Sequence, residues 1–205
     1  MKQTNQKIYL ASKSPRRREL LRQVGIDFEL LMLRNDGPRG PDVTEFVHEG
    51  EAAVDYVTRV TIEKATYASQ MVHGRRMLPH PVLAADTTVV LDDVILGKPS
   101  DIKEAKAMLR ALSGRTHQVM TCVAVQYKGT MQHITQVSEV TFDTLSDAAI
   151  NSYCATTEPY DKAGAYGIQG QAALFIKHIN GSQSGIMGLP LFETAQLLRQ
   201  AGIHI

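Results

Sequence analysis

Between an apolar run and a helical pattern stands Ala11-Ser12-Lys13-Ser14-Pro15-Arg16-Arg17-Arg18. Ser14 is suited to accept from the orphan N–H groups at a helix start, and Pro15 suits the first helical position. Arg16, Arg17 and Arg18 then crowd the first turn, where the helix end is already positive and prefers acids. A bound anion resolves that conflict. Free N–H groups, a hydroxyl and guanidinium forks together make a cradle for a polyphosphate. The plainer alternative is solvated surface charge.

Asp86 interrupts the apolar run Val82-Leu83-Ala84-Ala85-Asp86-Thr87-Thr88-Val89-Val90. Alternation along a strand puts Val82, Ala84, Asp86, Thr88 and Val90 on one face. A carboxylate there is costly unless it is paired or working, and work as a general base is one such use. The alternative is a strand-end Asp bonded in a turn. Lys64 falls on the core-facing stripe of its helix, four residues after Val60, so it snorkels outward or points into a cleft. Lys98, between Gly97 and Pro99, is an ammonium on a tight backbone, although exposed loop lysines are common. Glu45 follows a Gly/Pro loop and is either a metal ligand or a helix-start charge. From Glu158 to Gly170 the chain is dense in small and turn residues, which allow close backbone approach to a ligand. Gln169 in that stretch offers both donor and acceptor, as a base edge requires. There is no G-x-x-x-x-G-K-[ST], H-E-x-x-H or G-x-S-x-G pattern, and the seven His are scattered.

These residues need a scaffold. Periodicity predicts strands over 8–12, 28–32, 81–92, 94–96 and 172–179, and a hairpin of 117–127 with 131–142 through Lys128-Gly129. It predicts helices over 15–24, 51–70, 102–112, 147–155 and 191–201. In the second helix Val54, Val57, Val60 or Thr61, and Ala65 are expected to face the core. Loops are expected over 34–42 and 73–80, and 181–185 reads as a flexible polar connector. Parallel crossovers with a hairpin imply an α/β fold: a mixed, twisted sheet flanked by helices, with two lobes around a cleft.

The 205 residues, 43% hydrophobic and 21% charged, suffice for a real core, and Trp is absent. A net charge of +1 argues against general nucleic-acid binding, and few aromatics argue against an RNA-binding module. Cys122 and Cys154 lack metal-ligand spacing and read as buried thiols in a reducing compartment. Met1–Lys7 is polar with no apolar core, unlike a secretory signal, and no run reaches membrane-spanning length. The expected location is the cytoplasm.

After the opening Ala11–Arg17 signature come Glu63-Lys64-Ala65, Ala85-Asp86-Thr87, Gly97-Lys98-Pro99, Leu112-Ser113-Gly114-Arg115-Thr116-His117, Asp161-Lys162-Ala163-Gly164 and Ser184-Gly185-Ile186-Met187-Gly188-Leu189-Pro190. With these motifs in this order, the chain resembles the Maf proteins over nearly its whole length. These are nucleoside triphosphate pyrophosphatases also called septum-formation inhibitors. The resemblance implies one Maf-like domain over residues 1–205, with an inosine-triphosphatase-like fold. It implies hydrolysis of a nucleoside triphosphate to monophosphate and pyrophosphate with Mg²⁺ or Mn²⁺. Asp86 then matches the proton acceptor, and Glu45 joins Asp86 in binding metal. Ser12, Arg16, Arg17, Lys64, Lys98 and Lys162 match phosphate-holding positions. Arg17, Thr87 and Gln169 match the specificity positions of the branch acting on dTTP and UTP, and modified pyrimidine nucleotides are further candidate substrates. Ala165–Gly170 is similar to that branch and not to the one acting on 7-methyl-GTP. A homodimer is implied, as are roles in division arrest and in keeping modified nucleotides out of nucleic acids. Residues 34–41 depart from the family, being longer and richer in Gly and Pro. The rival reading is a nucleotide-binding regulator of septum formation with little turnover. Asp86 separates the two, because a mere binder gains nothing from a buried carboxylate beside a triphosphate.

Overall fold

The computed structural model describes residues 7–34 and 40–205. Residues 1–6 of the polar start and 35–39 of the Gly/Pro loop lie outside the described residues. In chain order the strands are β1 (Ile8–Ala11), β2 (Phe28–Leu30), β3 (Val82–Leu91), β4 (Val94–Leu96), β5 (Thr116–Tyr127), β6 (Thr130–Phe142) and β7 (Ile176–Asn180). The helices are α1 (Pro15–Gln23), α2 (Ala53–Gly74), α3 (Ile102–Leu112), α4 (Asp147–Cys154), α5 (Gln183–Ile186) and α6 (Leu191–Gln200). Short 3₁₀ turns cover Glu158–Asp161, Ala163–Ala165 and Gln171–Phe175.

The expected mixed sheet is present. Its order is β2-β1-β3-β5-β6-β7, with β4 also paired to β3. β1 runs parallel to β2 and β3, and the other pairings are antiparallel. The β5–β6 hairpin turns at Lys128 and Gly129, both at positive φ, as a tight turn matched to strand twist requires.

One detail of β3 makes the cleft. On the side away from β5, β1 pairs with Val82–Ala84 and β4 with Val89–Leu91. Residues 85–88 have no strand beside them there. The apolar packing divides at the same place. Leu83 and Ala85 join a cluster with Leu20 and Leu21 of α1 and Leu197 and Leu198 of α6. Val89 and Leu91 join a second cluster with Leu109 and Leu112 of α3 and Ile150 of α4. Thr87 lies between these two clusters on the odd-numbered face of β3. The even-numbered face packs against α2, with Val82 and Ala84 against Ala65 and Ala68. Each fully buried Leu or Ile is worth about 1.5–3 kcal/mol. These clusters therefore hold the sheet and the helices that meet at its gap.

Four expectations need correction. Helix α2 starts at Ala53 and extends to Gly74, so Glu51 lies outside it and His73 inside. Val54 is exposed and Tyr56 takes its place inward, because the buried stripe runs through Tyr56, Val57, Val60, Thr61 and Ala65. Residues 172–175 are not strand: the Glu158 carboxylate captures the N–H groups of Gln171 and Ala172, leaving a 3₁₀ turn. Segment 181–185 is not a plain loop, for Ser182 caps the start of α5 by accepting from Gly185 N–H at 3.0 Å. No described helix is long and apolar enough to cross a membrane. Cys122 and Cys154 are free, buried thiols.

Candidate active site

Ser12, Arg16, Arg17, Glu45, Lys64, Asp86, Thr87, Lys98, Lys162 and Gln169 all line one cleft of about 710 Å³. The cleft opens at the carboxyl end of β1, over the unpaired stretch of β3. Ligands of open α/β sheets bind in such crevices.

Two constellations meet on its floor. The first surrounds Arg17. The Ser14 hydroxyl caps α1 by accepting from Arg17 N–H at 3.5 Å, and Pro15 occupies the first turn. The Arg17 guanidinium donates from Nε to Gly188 O at 2.6 Å, from Nη1 to Ser12 Oγ at 3.1 Å and from Nη2 to Thr87 Oγ1 at 3.1 Å. Ser12 Oγ also accepts from Ser14 N–H. Thr121 Oγ1 donates to Gly185 O and bonds Thr87 Oγ1, which fixes the Thr87 hydroxyl from behind. Burial pushes the Arg17 pKa down, and the nearby Asp86 charge opposes that shift.

The second constellation is a lysine between two acids. Lys64 Nζ lies 2.7 Å from Asp86 Oδ1 and 2.7 Å from Glu45 Oε1. Lys64 therefore points into the cleft instead of snorkelling outward. The Lys64 and Asp86 side chains are each only 13% exposed, whereas Glu45 sits half-exposed at the rim. Burial works to raise the Glu45 pKa, but Lys64, with Lys98 and Arg17 further off, brings it net below the usual value. The segment carrying Glu45 is held from α2. Tyr56 OH donates to Glu45 O at 3.2 Å, and Arg59 Nη2 donates to Phe46 O at 2.8 Å. Arg59 is itself locked onto Glu51 by contacts of 2.6 and 2.9 Å. Burial, with Asp86 and Glu45 adding, pushes the Tyr56 phenol up to about 12.

Glu45 and Asp86 are hard oxygen donors that already share one cation, the Lys64 ammonium. Among the described residues no group of three or more His, Cys, Asp or Glu gathers as a metal cage. Two carboxylates, completed by water and substrate phosphate, match the way Mg²⁺ is bound in phosphoryl-transfer sites. The residues present fit such an ion.

The remaining cations rim the cleft. Arg16 Nη1 lies 3.6 Å from Asp161 Oδ2, and Lys162 Nζ lies 2.5 Å from Asp161 Oδ1, so one carboxylate holds both. Lys98 is exposed and also lines the cleft, on the segment whose Gly97 O accepts from Gly164 N–H at 3.0 Å, beside Lys162. Arg18 is not part of the cradle. It turns back on its own backbone, with Nη2 to Lys13 O at 2.8 Å and Nε to Ser14 O at 3.3 Å.

Three residues in this region escaped sequence reasoning. Asp161 stands in the Asp161–Gly164 motif, but nothing there marks it as the acid that holds both Arg16 and Lys162. Glu158 lines the cleft and bonds the Gln169-bearing segment. Tyr166 also lines it, anchored through its hydroxyl to buried His117 Nε2 at 2.7 Å. Burial pulls the His117 pKa down to about 4. His117 stands in the Leu112–His117 motif and Tyr166 in the Ala165–Gly170 stretch, but neither signal tells that the two side chains meet.

A family model described as Maf-like protein matches residues 7–201. The dTTP/UTP pyrophosphatase of Aromatoleum aromaticum is 54% identical over 204 residues, 98% of each chain. The dTTP/UTP pyrophosphatase of Ralstonia nicotianae is 53% identical over 199 residues, 97% of this chain and 95% of that one. Among solved structures, the Staphylococcus aureus Ham1 protein superposes with a TM-score of 0.49 at 13% identity, covering 95% of this chain and 97% of that one.

Proposed function

The chain belongs to the Maf family, and from that premise we propose that it hydrolyses dTTP and UTP to the monophosphate and pyrophosphate. It is a nucleoside triphosphate pyrophosphatase, as its near full-length relatives are named. The observation that carries the site assignment is the adjacency of Asp86 and Thr87 on β3. It ties the Lys64–Glu45 pair and the Arg17–Ser12 pair to one cleft floor.

In this reading Arg17, Arg16, Lys64, Lys98 and Lys162 hold the triphosphate, with the Ser12 hydroxyl at the mouth of α1. Asp86 is the general base. It orients a water for attack on the α-phosphorus and takes its proton. The new P–O bond forms as the α–β bridge breaks, and the bridging electron pair leaves with pyrophosphate. Lys64, 2.7 Å from Asp86 Oδ1, holds that carboxylate in place, and the cations receive the charge that develops on the leaving group. Glu45 and Asp86 would hold Mg²⁺ or Mn²⁺, which neutralises phosphate charge when bound. Arg17, Thr87 and Gln169 read the base. Modified pyrimidine nucleotides enter the same cleft. The chain acts as one Maf-like domain over residues 1–205, as a homodimer, in the cytoplasm.

The test is a nucleotide panel incubated with and without Mg²⁺ or Mn²⁺, with products identified. Monophosphate plus pyrophosphate from dTTP and UTP is expected. Diphosphate plus orthophosphate moves the attack to the terminal phosphorus and overturns the reading.

A further inference from the structure

Both oxygens of the half-buried Glu158 carboxylate are engaged within the protein, by two backbone N–H groups and one phenol. Oε1 accepts from Tyr153 OH at 3.0 Å and from Ala172 N–H at 3.5 Å, while Oε2 accepts from Gln171 N–H at 2.9 Å. Its own carbonyl accepts from Lys162 Nζ at 2.6 Å. The chain then wraps closely over it. A Cβ built on Gly170 would land on the Glu158 carboxylate, and one on Gly167 would meet Lys162 Cε at 2.6 Å. On the other side of this arch, Tyr166 is pinned through its hydroxyl to His117. Gly167–Gly170 is thus a short span tied at both ends, and both glycines are required for the close approach. Gln169 sits on the span, lines the cleft, and makes no hydrogen bond among the described residues.

We infer that Glu158 is a positioning residue for base selection: its carboxylate clamps the Gly167–Gly170 arch and so holds Gln169 facing the cleft. The inference rests on the base-reading role given to Gln169 above. The clamp acts on the base, away from the reacting phosphorus. Loosening it weakens discrimination between nucleotides more than it slows the chemical step.

Glu158→Gln is the informative variant. It keeps the shape, but one oxygen becomes an NH₂ that cannot accept from Gln171 N–H or from the Tyr153 and Ala172 pair. Losing about one such bond is worth roughly tenfold in affinity. The expected result is a roughly tenfold fall in the dTTP-to-dGTP affinity ratio by calorimetry, with a rise in KM for dTTP and kcat within about threefold. The unpaired donors should lower thermal melting modestly, while the loss of affinity falls on dTTP and not on dGTP. Gly170→Ala, which pushes the arch off Glu158 from the other side, should reproduce the loss of discrimination. An unchanged ratio in both variants overturns the inference, as does an equal loss for every nucleotide accompanied by lower thermal stability. If the unaltered chain binds dTTP selectively but does not turn it over, the pyrophosphatase reading fails while the affinity ratio still decides the role of Glu158. If it shows no base preference, the clamp has nothing to serve and the inference falls.

Discussion

Arg17 Nη2 donates to Thr87 Oγ1 at 3.1 Å across 70 residues of chain. The next residue back on β3, Asp86, accepts from Lys64 of α2 at 2.7 Å. A single dipeptide therefore receives a cation from each side of the sheet. Strand alternation sends the two side chains to opposite faces. The missing neighbour strand at residues 85–88 lets both reach the same cleft.

Asp86→Asn tests the base. The amide retains the shape but cannot take a proton, so kcat should fall by roughly 10²–10⁴ while dTTP binding persists. Steady-state kinetics with a binding measurement checks this. Near-full turnover in a folded variant would show that the proton goes elsewhere.

Arg17→Lys tests the fork. One ammonium cannot reproduce the planar set of bonds to Gly188 O, Ser12 Oγ and Thr87 Oγ1. Partly buried acceptors are left without donors, at a cost of about 1–3 kcal/mol in stability. Urea titration should register that loss, and KM for dTTP should rise by about tenfold or more.

Glu45→Gln tests the metal position. Losing one charged oxygen ligand is expected to raise the Mn²⁺ concentration for half-maximal rate by roughly ten- to a hundredfold. Direct Mn²⁺ binding followed by electron paramagnetic resonance should weaken in step. Equal metal requirement in variant and parent would remove Glu45 from the ligand set.

His117 makes acid stability predictable in sign. Burial lowers its pKa from 6.5 to about 4. Between those values only the unfolded chain takes up the proton. Its contribution is therefore fully present above about pH 6.5 and is lost as pH falls toward 4, by about 3 kcal/mol at most. Denaturant melts at a series of pH values should show that slope, and His117→Gln should flatten it over this window. Its Nδ1 has no partner among the described residues, so a further proton there would be buried without compensation.

Local signals in the chain were strong where the determining physics is local. Ser14-Pro15 capped and opened α1 where expected, and Lys128-Gly129 turned the hairpin. The long apolar run with one acid became β3 with Asp86 buried on it. Where distant groups compete for the backbone, local signals failed. The stretch from Ala172 looked like strand because its apolar residues fit one, yet Glu158 took the Ala172 N–H and Gly170 O that of Ala173, which closes a 3₁₀ turn in place of a ladder.

Read alone, the sequence determined the element types, the chemistry on offer and the resemblance that orders it, because periodicity, caps and motif spacing are properties of neighbouring residues. Only the tertiary structure decided which charges act together. It sent Arg18 back to its own helix while Arg17 crossed to β3, placed Lys64 between Glu45 and Asp86, and set Glu158 beneath the Gln169 arch. Those choices depend on how strands end and pair. A gap of four residues in the partners of β3 is invisible until β1 and β4 are both in place.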